Sequence, residues 1–203
     1  MPRRPDPQLE ERILHAARKL WRKGGEKALT MRAVAKAAGT NTPAVYRRFK
    51  NRQEILRALL RRLQREIAAL LSPCRSPGEA AERYLQFALS DPHEYALFYA
   101  HAYQLPRPAR SGVAPLREHR PSMALIEDLL AKQLGGTPAD HTRLSLALWT
   151  LAHGTAMILI AKAIPNEHVA ELRSVFTATV EALIRNASGL SVRNSGNYPL
   201  TSR

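Results

Sequence analysis

From Gln8 onward the apolar residues fall on one face of a 3.6-residue period. Ile13, Leu14, Ala17, Leu20 and Trp21 recur at i, i+1, i+4, i+7 and i+8, while Arg12, Arg18, Lys19, Arg22 and Lys23 fill the remaining arc. This predicts a first helix, stopped at Gly24-Gly25 because glycine takes the left-handed conformation without a Cβ clash. Thr30 reads as the N-cap of a second helix that turns Val34 and Ala37 or Ala38 inward. Ala35 is small where two helices approach closely, and Gly39 permits a sharp turn. Asn41 or Thr42 caps a third helix with Pro43 in its first turn. Val45 and Phe49, i and i+4, should anchor that helix to the first one. The expected outward face then carries Thr42, Ala44 and Arg47, with Tyr46 and Arg48 at its margins.

A fourth helix, capped by Asn51, carries Ile55, Leu56, Leu59, Leu60, Leu63, Ile67 and Leu70 on one stripe, with Arg57, Arg61, Arg62 and Arg65 opposite. It closes at Ser72-Pro73 and Ser76-Pro77. Further helices are expected over 78–90 and from Asp91-Pro92 onward, the latter carrying Tyr95, Phe98, Tyr99, Ala102 and Tyr103. Residues 106–121 read as a loop, and helices follow over about 123–134, 139–164 and 166–186. No strand-like alternation interrupts this pattern, so the expected fold is all-α: a three-helix head followed by a helical-bundle body.

The expected domains are a mobile basic arm over 1–7 and a three-helix head over 8–53, with the fourth helix running on to about 71. A helical body over 72–186 and a disordered tail over 187–203 complete them. The arm either reaches into a minor groove or is an inert frayed terminus. The apolar run from Leu144 to Ile164 approaches the length of a membrane span. Ser145, Thr150, His153, Thr155 and Lys162 argue instead for a helix buried on both sides, one against a pocket and one against a second copy of the chain. Its expected companion carries Val169, Leu172, Phe176, Val180 and Leu183.

Charge sharpens this division. The 203 residues carry a net +14, of which residues 1–70 supply 18 Lys/Arg against 6 Asp/Glu, a net of +12. Basicity so concentrated suits a polyanion, through counterion release from phosphates, although a solubility device or a membrane-surface patch would have the same composition. Cys74 is the single cysteine, so no internal disulfide forms. With no charged-then-apolar leader at the start, a reducing cytoplasm is the expected compartment. Enzyme chemistry finds no support: there is no Ser/His/Asp spacing, glycine-rich phosphate loop or clustered metal ligands, so no cofactor and no metal are expected.

The stretch Thr30 to Phe49, TMRAVAKAAGTNTPAVYRRF, has the grammar of a helix-turn-helix, whose second helix enters the DNA major groove. In the body, Tyr84, Phe87, Tyr95, Phe98, Tyr99, Tyr103, Met123, Trp149, His153 and Met157 are the candidate lining of an effector pocket, since such pockets are mostly apolar. The alternative for each aromatic is ordinary core packing, and for His153 a packed core histidine.

The segment Ile13 to Leu56 resembles the DNA-binding domain of the TetR family of bacterial transcriptional regulators. The likeness lies in Ile13-Leu14-x-Ala-Ala, the Gly24-Gly25 stop, the Thr30 start, Ala35-x-x-Ala-Gly39 and Val45-Tyr46-Arg47-x-Phe49. It departs in having Arg52 where the family commonly has lysine, a fork in place of a point charge. FALSDPHEYALF (87–98) and Trp149-x-x-x-His153-Gly154 are similar to one C-terminal subgroup. The resemblance implies a homodimer on palindromic double-stranded DNA, with a small apolar or aromatic effector releasing a repressor. A regulator or architectural protein whose body only dimerises is the alternative. The implied DNA-binding residues are Thr30, Arg32, Asn41, Thr42, Ala44, Tyr46, Arg47, Lys50 and Arg52. Thr42, Ala44 and Arg47 are the base-edge candidates. Tyr46, Lys50, Arg52, Thr30 and Arg32 resemble phosphate positions, with partial core burial the other reading of Tyr46.

Overall fold

Two compact units divide the computed structural model of the chain: residues 1–67 with 90–107, and residues 68–89 with 108–203. The structure describes residues 6–101 and 120–187. Among the described residues every regular element is a helix.

The first unit begins with α1 (Leu9–Ala28), which buries Ile13, Leu14, Ala16, Ala17 and Trp21. Its helical path breaks at Gly24 and Gly25, where Gly25 adopts φ +61°, and one further turn reaches Ala28. The expected stop is thus a kink. Thr30 caps α2 (Met31–Ala37), accepting from the Ala33 amide at 3.1 Å. Gly39 at φ +65° reverses the chain, and the Thr40 amide reaches back to the Ala35 carbonyl at 3.0 Å. A Cβ at Gly39 would meet nothing within 4 Å, so the turn needs glycine for its dihedral and not for space. Asn41 caps α3 (Thr42–Arg48) through the Ala44 amide at 2.9 Å, with Pro43 in the first turn. α1 packs on α2 and α2 on α3. At the start of α4 (Arg52–Leu71) the Asn51 side chain accepts from the Glu54 amide, and the Glu54 carboxylate accepts from the Lys50 amide. Its Ile55, Leu56, Leu59, Leu60, Leu63 and Ile67 are buried.

One helix of the expected body over 72–186 keeps its contacts with the first unit. α6 (Pro92–His101), which follows α5 (Pro77–Ser90) directly, clusters with the head. The cause is a set of contacts with α1. Arg18 donates to both Glu94 carboxylate oxygens at 2.6 and 2.9 Å and to Glu66 at 2.9 Å. Arg22 pairs with Asp91, and the Trp21 indole meets the His101 ring edge-on at 6.0 Å. The expected arm also ends earlier than residue 7, because Asp6 pairs with Arg12 at 2.5 Å and its carbonyl accepts from Arg48. The rest of the arm, Tyr103, most of the 106–121 loop and the tail from 188 lie outside the described residues.

In the second unit α7 (Pro121–Leu134) begins two residues before the expected start, since proline suits the first helical turn. A 3-10 turn at Pro138–His141 leads into α8 (Thr142–Ile160), and another at Asn166–His168 leads into α9 (Val169–Arg185). α7 packs on α8 and α8 on α9. Buried Glu127 is satisfied in part by the Thr142 hydroxyl at 2.8 Å.

Glu94 has a side chain only 7% exposed, so Arg18→Leu strands a carboxylate in the head. Urea unfolding is expected to show a loss of about 2–4 kcal/mol, less than for a fully buried pair because Arg18 keeps partial exposure. Arg18→Leu with Glu94→Leu should recover most of it. Equal stability of the single and double variants would rule out the stranded charge as the cause.

Candidate nucleic-acid interface and effector recess

α3 is seven residues long and carries two kinds of surface. Ala44, Val45 and the capping Phe49 are buried, whereas Pro43, Tyr46, Arg47 and Arg48 are exposed and Thr42 is half-buried. This overturns the outward placement of Ala44, which is 5% exposed. The buried arc of this short helix is wider than the Val45/Phe49 pair implied, and it takes in Ala44 next to Val45. Tyr46, at 52% exposure, is a surface residue and not core. Pro43 shares its face; a wheel drawn opposite Val45 and Phe49 would have found it.

The remaining candidates sort by how their polar groups are engaged. Thr30 Oγ1 and Asn41 Oδ1 are occupied as helix caps. Arg32, Lys36 and Lys50 are exposed. Arg52 donates to the Glu26 carboxylate at 2.8 Å and to the Glu26 carbonyl at 3.3 Å, bracing the turn that follows the Gly24-Gly25 kink. Arg12, Arg18, Arg22 and Arg62 are likewise paired with acids. The positive charge of the first seventy residues is therefore partly internal, and its exposed share includes residues on and beside α2 and α3.

The second unit holds a small apolar recess, part of it open to solvent. Leu71, α5 (Pro77, Ala80, Ala81, Tyr84), α7 (Ser122, Met123, Ile126) and α8 (Ser145, Leu148, Trp149, Ala152) line it. Of the expected lining, Tyr84, Met123 and Trp149 are there. Tyr95, Phe98 and Tyr99 are not: they lie on α6 in the first unit, where Tyr95 and Phe98 are buried and both rings contact Tyr99. Phe87 is half-buried outside the lining, and Met157 is 37% exposed. His153 stacks on Trp149 at 5.5 Å instead of lining the space, and Arg120 sits 5.0 Å above the same indole. Ala80, Ala81 and Ser145 escaped the sequence reading, because small residues at helical spacing mark close packing and a cavity alike.

A basic helix-turn-helix with an exposed third-helix face, joined to an all-α body, defines a DNA-binding regulator. The chain's sequence then places it more narrowly. Residues 13–59 match the family of bacterial regulatory proteins called tetR, and residues 78–183 match the tetracyclin repressor-like C-terminal domain. The chain belongs to the TetR family of transcriptional regulators. Among solved structures it is similar to SCO4313, described as a regulatory protein, with 24% identity, TM-score 0.66, and coverage of 87% of this chain and 95% of that one. The regulator SCO7222 from Streptomyces coelicolor is 20% identical, with TM-score 0.63 and coverage of 90% and 99%. A TetR variant from Acinetobacter baumannii AYE in complex with minocycline is 19% identical, with TM-score 0.58 and coverage of 89% and 97%. At these identities the likeness establishes the fold. No curated protein matches the chain.

Burial first, and the Arg120 cation second, hold the His153 imidazole below its ordinary value of 6.5. The folded state thus binds this proton less readily than the unfolded chain. Its contribution to stability is complete above pH 6.5 and declines as pH falls below that value. A histidine NMR titration should place the His153 midpoint under 6.5, and Arg120→Gln should return it only part of the way, since burial is the larger cause. A midpoint above 6.5 would contradict this environment.

Proposed function

We propose that the chain acts in the cytoplasm as a homodimeric repressor on a palindromic operator, and that a small apolar or aromatic effector in the recess releases it. The observation that carries the reading is the pairing, in one chain, of an exposed recognition-helix face with an apolar recess among the helices of the body. Small-molecule sites in helical bodies are mostly apolar with few polar groups. Support for dimerisation comes from α8 and α9, which leave Met157, Ile158 and Val175 at 37%, 38% and 54% exposure. Apolar surface of this kind marks association. One helix-turn-helix per chain also needs a second copy to read two half-sites about 34 to 36 Å apart. α8 with its preceding turn, Pro138–Ile160, is long and apolar enough to cross a membrane. Its buried Thr142, Ser145 and Thr155, together with its place in the family's C-terminal domain, favour a bundle helix.

On DNA, Arg47 is the guanine-reading candidate and Thr42 a hydroxyl contact, with Pro43 and Tyr46 on the same face. Ala44 is withdrawn from base contact. Lys50, Arg32 and Thr30 are proposed at phosphates, as is Arg52 if its fork serves Glu26 and a phosphate together. An effector changes operator affinity only by its differential affinity for the two states of the protein.

Arg47→Ala is expected to weaken binding to operator DNA by about 1–3 kcal/mol while leaving random DNA unaffected. Equal loss on both, measured by anisotropy titration, would defeat base reading. For Arg52→Ala the plot of log K against log salt should flatten by about 1 unit. An unchanged slope accompanied by lower stability would confine Arg52 to its brace on Glu26.

A further inference from the structure

Arg52 is the first residue of α4, where the helix dipole disfavours a cation, so helix stability does not account for it. Its partner is brought by the break in α1. Gly25, at φ +61° and ψ −153°, takes a backbone that other residues rarely adopt, and a Cβ on Gly24 would stand 2.9 Å from the Ala28 Cβ. Just past that break Glu26 offers two acceptors to one guanidinium: its carboxylate to Nη2 at 2.8 Å and its carbonyl to Nη1 at 3.3 Å. An arginine has five N–H donors in a rigid fork, and these two bonds leave the others free to serve a second acceptor. No such acceptor stands among the described residues, and the side chain keeps 40% exposure. An exposed ion pair of this kind contributes little to stability. A fork clamped at two points has nevertheless lost its rotamer freedom before any ligand arrives.

We infer that Glu26 is a positioning residue for DNA, fixing the Arg52 fork so that its remaining N–H groups meet a backbone phosphate without further ordering. The inference rests on Arg52 being a phosphate contact, and it adds the residue that sets the geometry of that contact. A lysine ammonium, free to turn about its stem, is not oriented by the same two acceptors. Charge alone predicts the opposite sign. An acid beside a phosphate repels it, so removing the acid should tighten binding. Positioning predicts that removal weakens binding, because ordering one long side chain in the complex costs about three- to tenfold in affinity.

Anisotropy with the full chain and a labelled random-sequence duplex tests this, since phosphate contacts act on all sequences alike. Glu26→Ala and Glu26→Gln remove the same charge, but glutamine keeps an oxygen that can accept from Arg52. Glu26→Ala is expected to bind about three- to tenfold more weakly than the unsubstituted chain, and Glu26→Gln to bind more tightly than Glu26→Ala. Titration at stoichiometric concentration gives the DNA-competent fraction of each variant, so a loss of folding does not mimic the result. Glu26 Oε2 also faces His101 Nδ1 at 3.7 Å. Both substitutions are therefore repeated with Arg52→Ala, where the difference between them should vanish; a difference that persists runs through His101 and overturns the inference. Binding by Glu26→Ala as tight as that of the unsubstituted chain, or equal binding by the two variants, overturns it as well. The underlying contact fails separately. An unaltered salt slope in Arg52→Ala removes the phosphate contact and the inference with it, whereas a flattened slope with equal binding by Glu26→Ala and Glu26→Gln keeps the contact and defeats the positioning role.

Discussion

The guanidinium of Arg18 is the point on which the head unit turns. It holds both oxygens of Glu94 on α6 and one of Glu66 on α4, so three helices distant in sequence share one cation. The carboxylate partners raise the guanidinium's affinity for its proton well above the ordinary arginine value, against the opposing effect of burial. Because Glu94 is nearly buried, the arrangement tolerates loss of neither partner singly. It defines which helices form the head, and it does so with charge that composition alone would have assigned to DNA.

That division of labour among arginines matters for function. A net of +12 over seventy residues reads as a phosphate-seeking surface. Arg12, Arg18, Arg22, Arg52 and Arg62 are tied to Asp6, Glu94, Asp91, Glu26 and Glu11, while Arg32, Arg47 and Lys50 remain exposed. The exposed set on and beside α2 and α3 is held in register by two side-chain caps and one left-handed glycine. Thr30, Asn41 and Gly39 supply these.

In the body the same economy of polar groups operates in an apolar setting. α8 buries Ser145 and Thr155 on one side and exposes Met157 and Ile158 on another, and α9 adds Val175. One helix thus offers a recess lining and an uncovered apolar face.

The head was legible in the sequence wherever local chemistry decides structure. The Thr30 and Asn41 caps, the Gly39 turn, the Val45/Phe49 anchor and the α4 stripe all follow from periodicity, capping preference and the absence of a Cβ. Local rules were silent where partners come from far along the chain. The allegiance of α6 hangs on Arg18 meeting Glu94 seventy-six residues away, and no spacing rule reports that. Ala44 looked like a surface residue on a two-point wheel, but the width of the buried arc is set by neighbours in space. Tyr95, Phe98 and Trp149 carry the same pattern of aromatics at helical intervals; packing sends the first two into the head core and the third to the rim of a cavity. The sequence by itself determined the helices and the DNA-reading motif, because capping, turning and amphipathicity act within a few residues. Only the tertiary structure decided which arginines are free and which aromatics face a recess, because burial is a property of what the rest of the chain brings alongside.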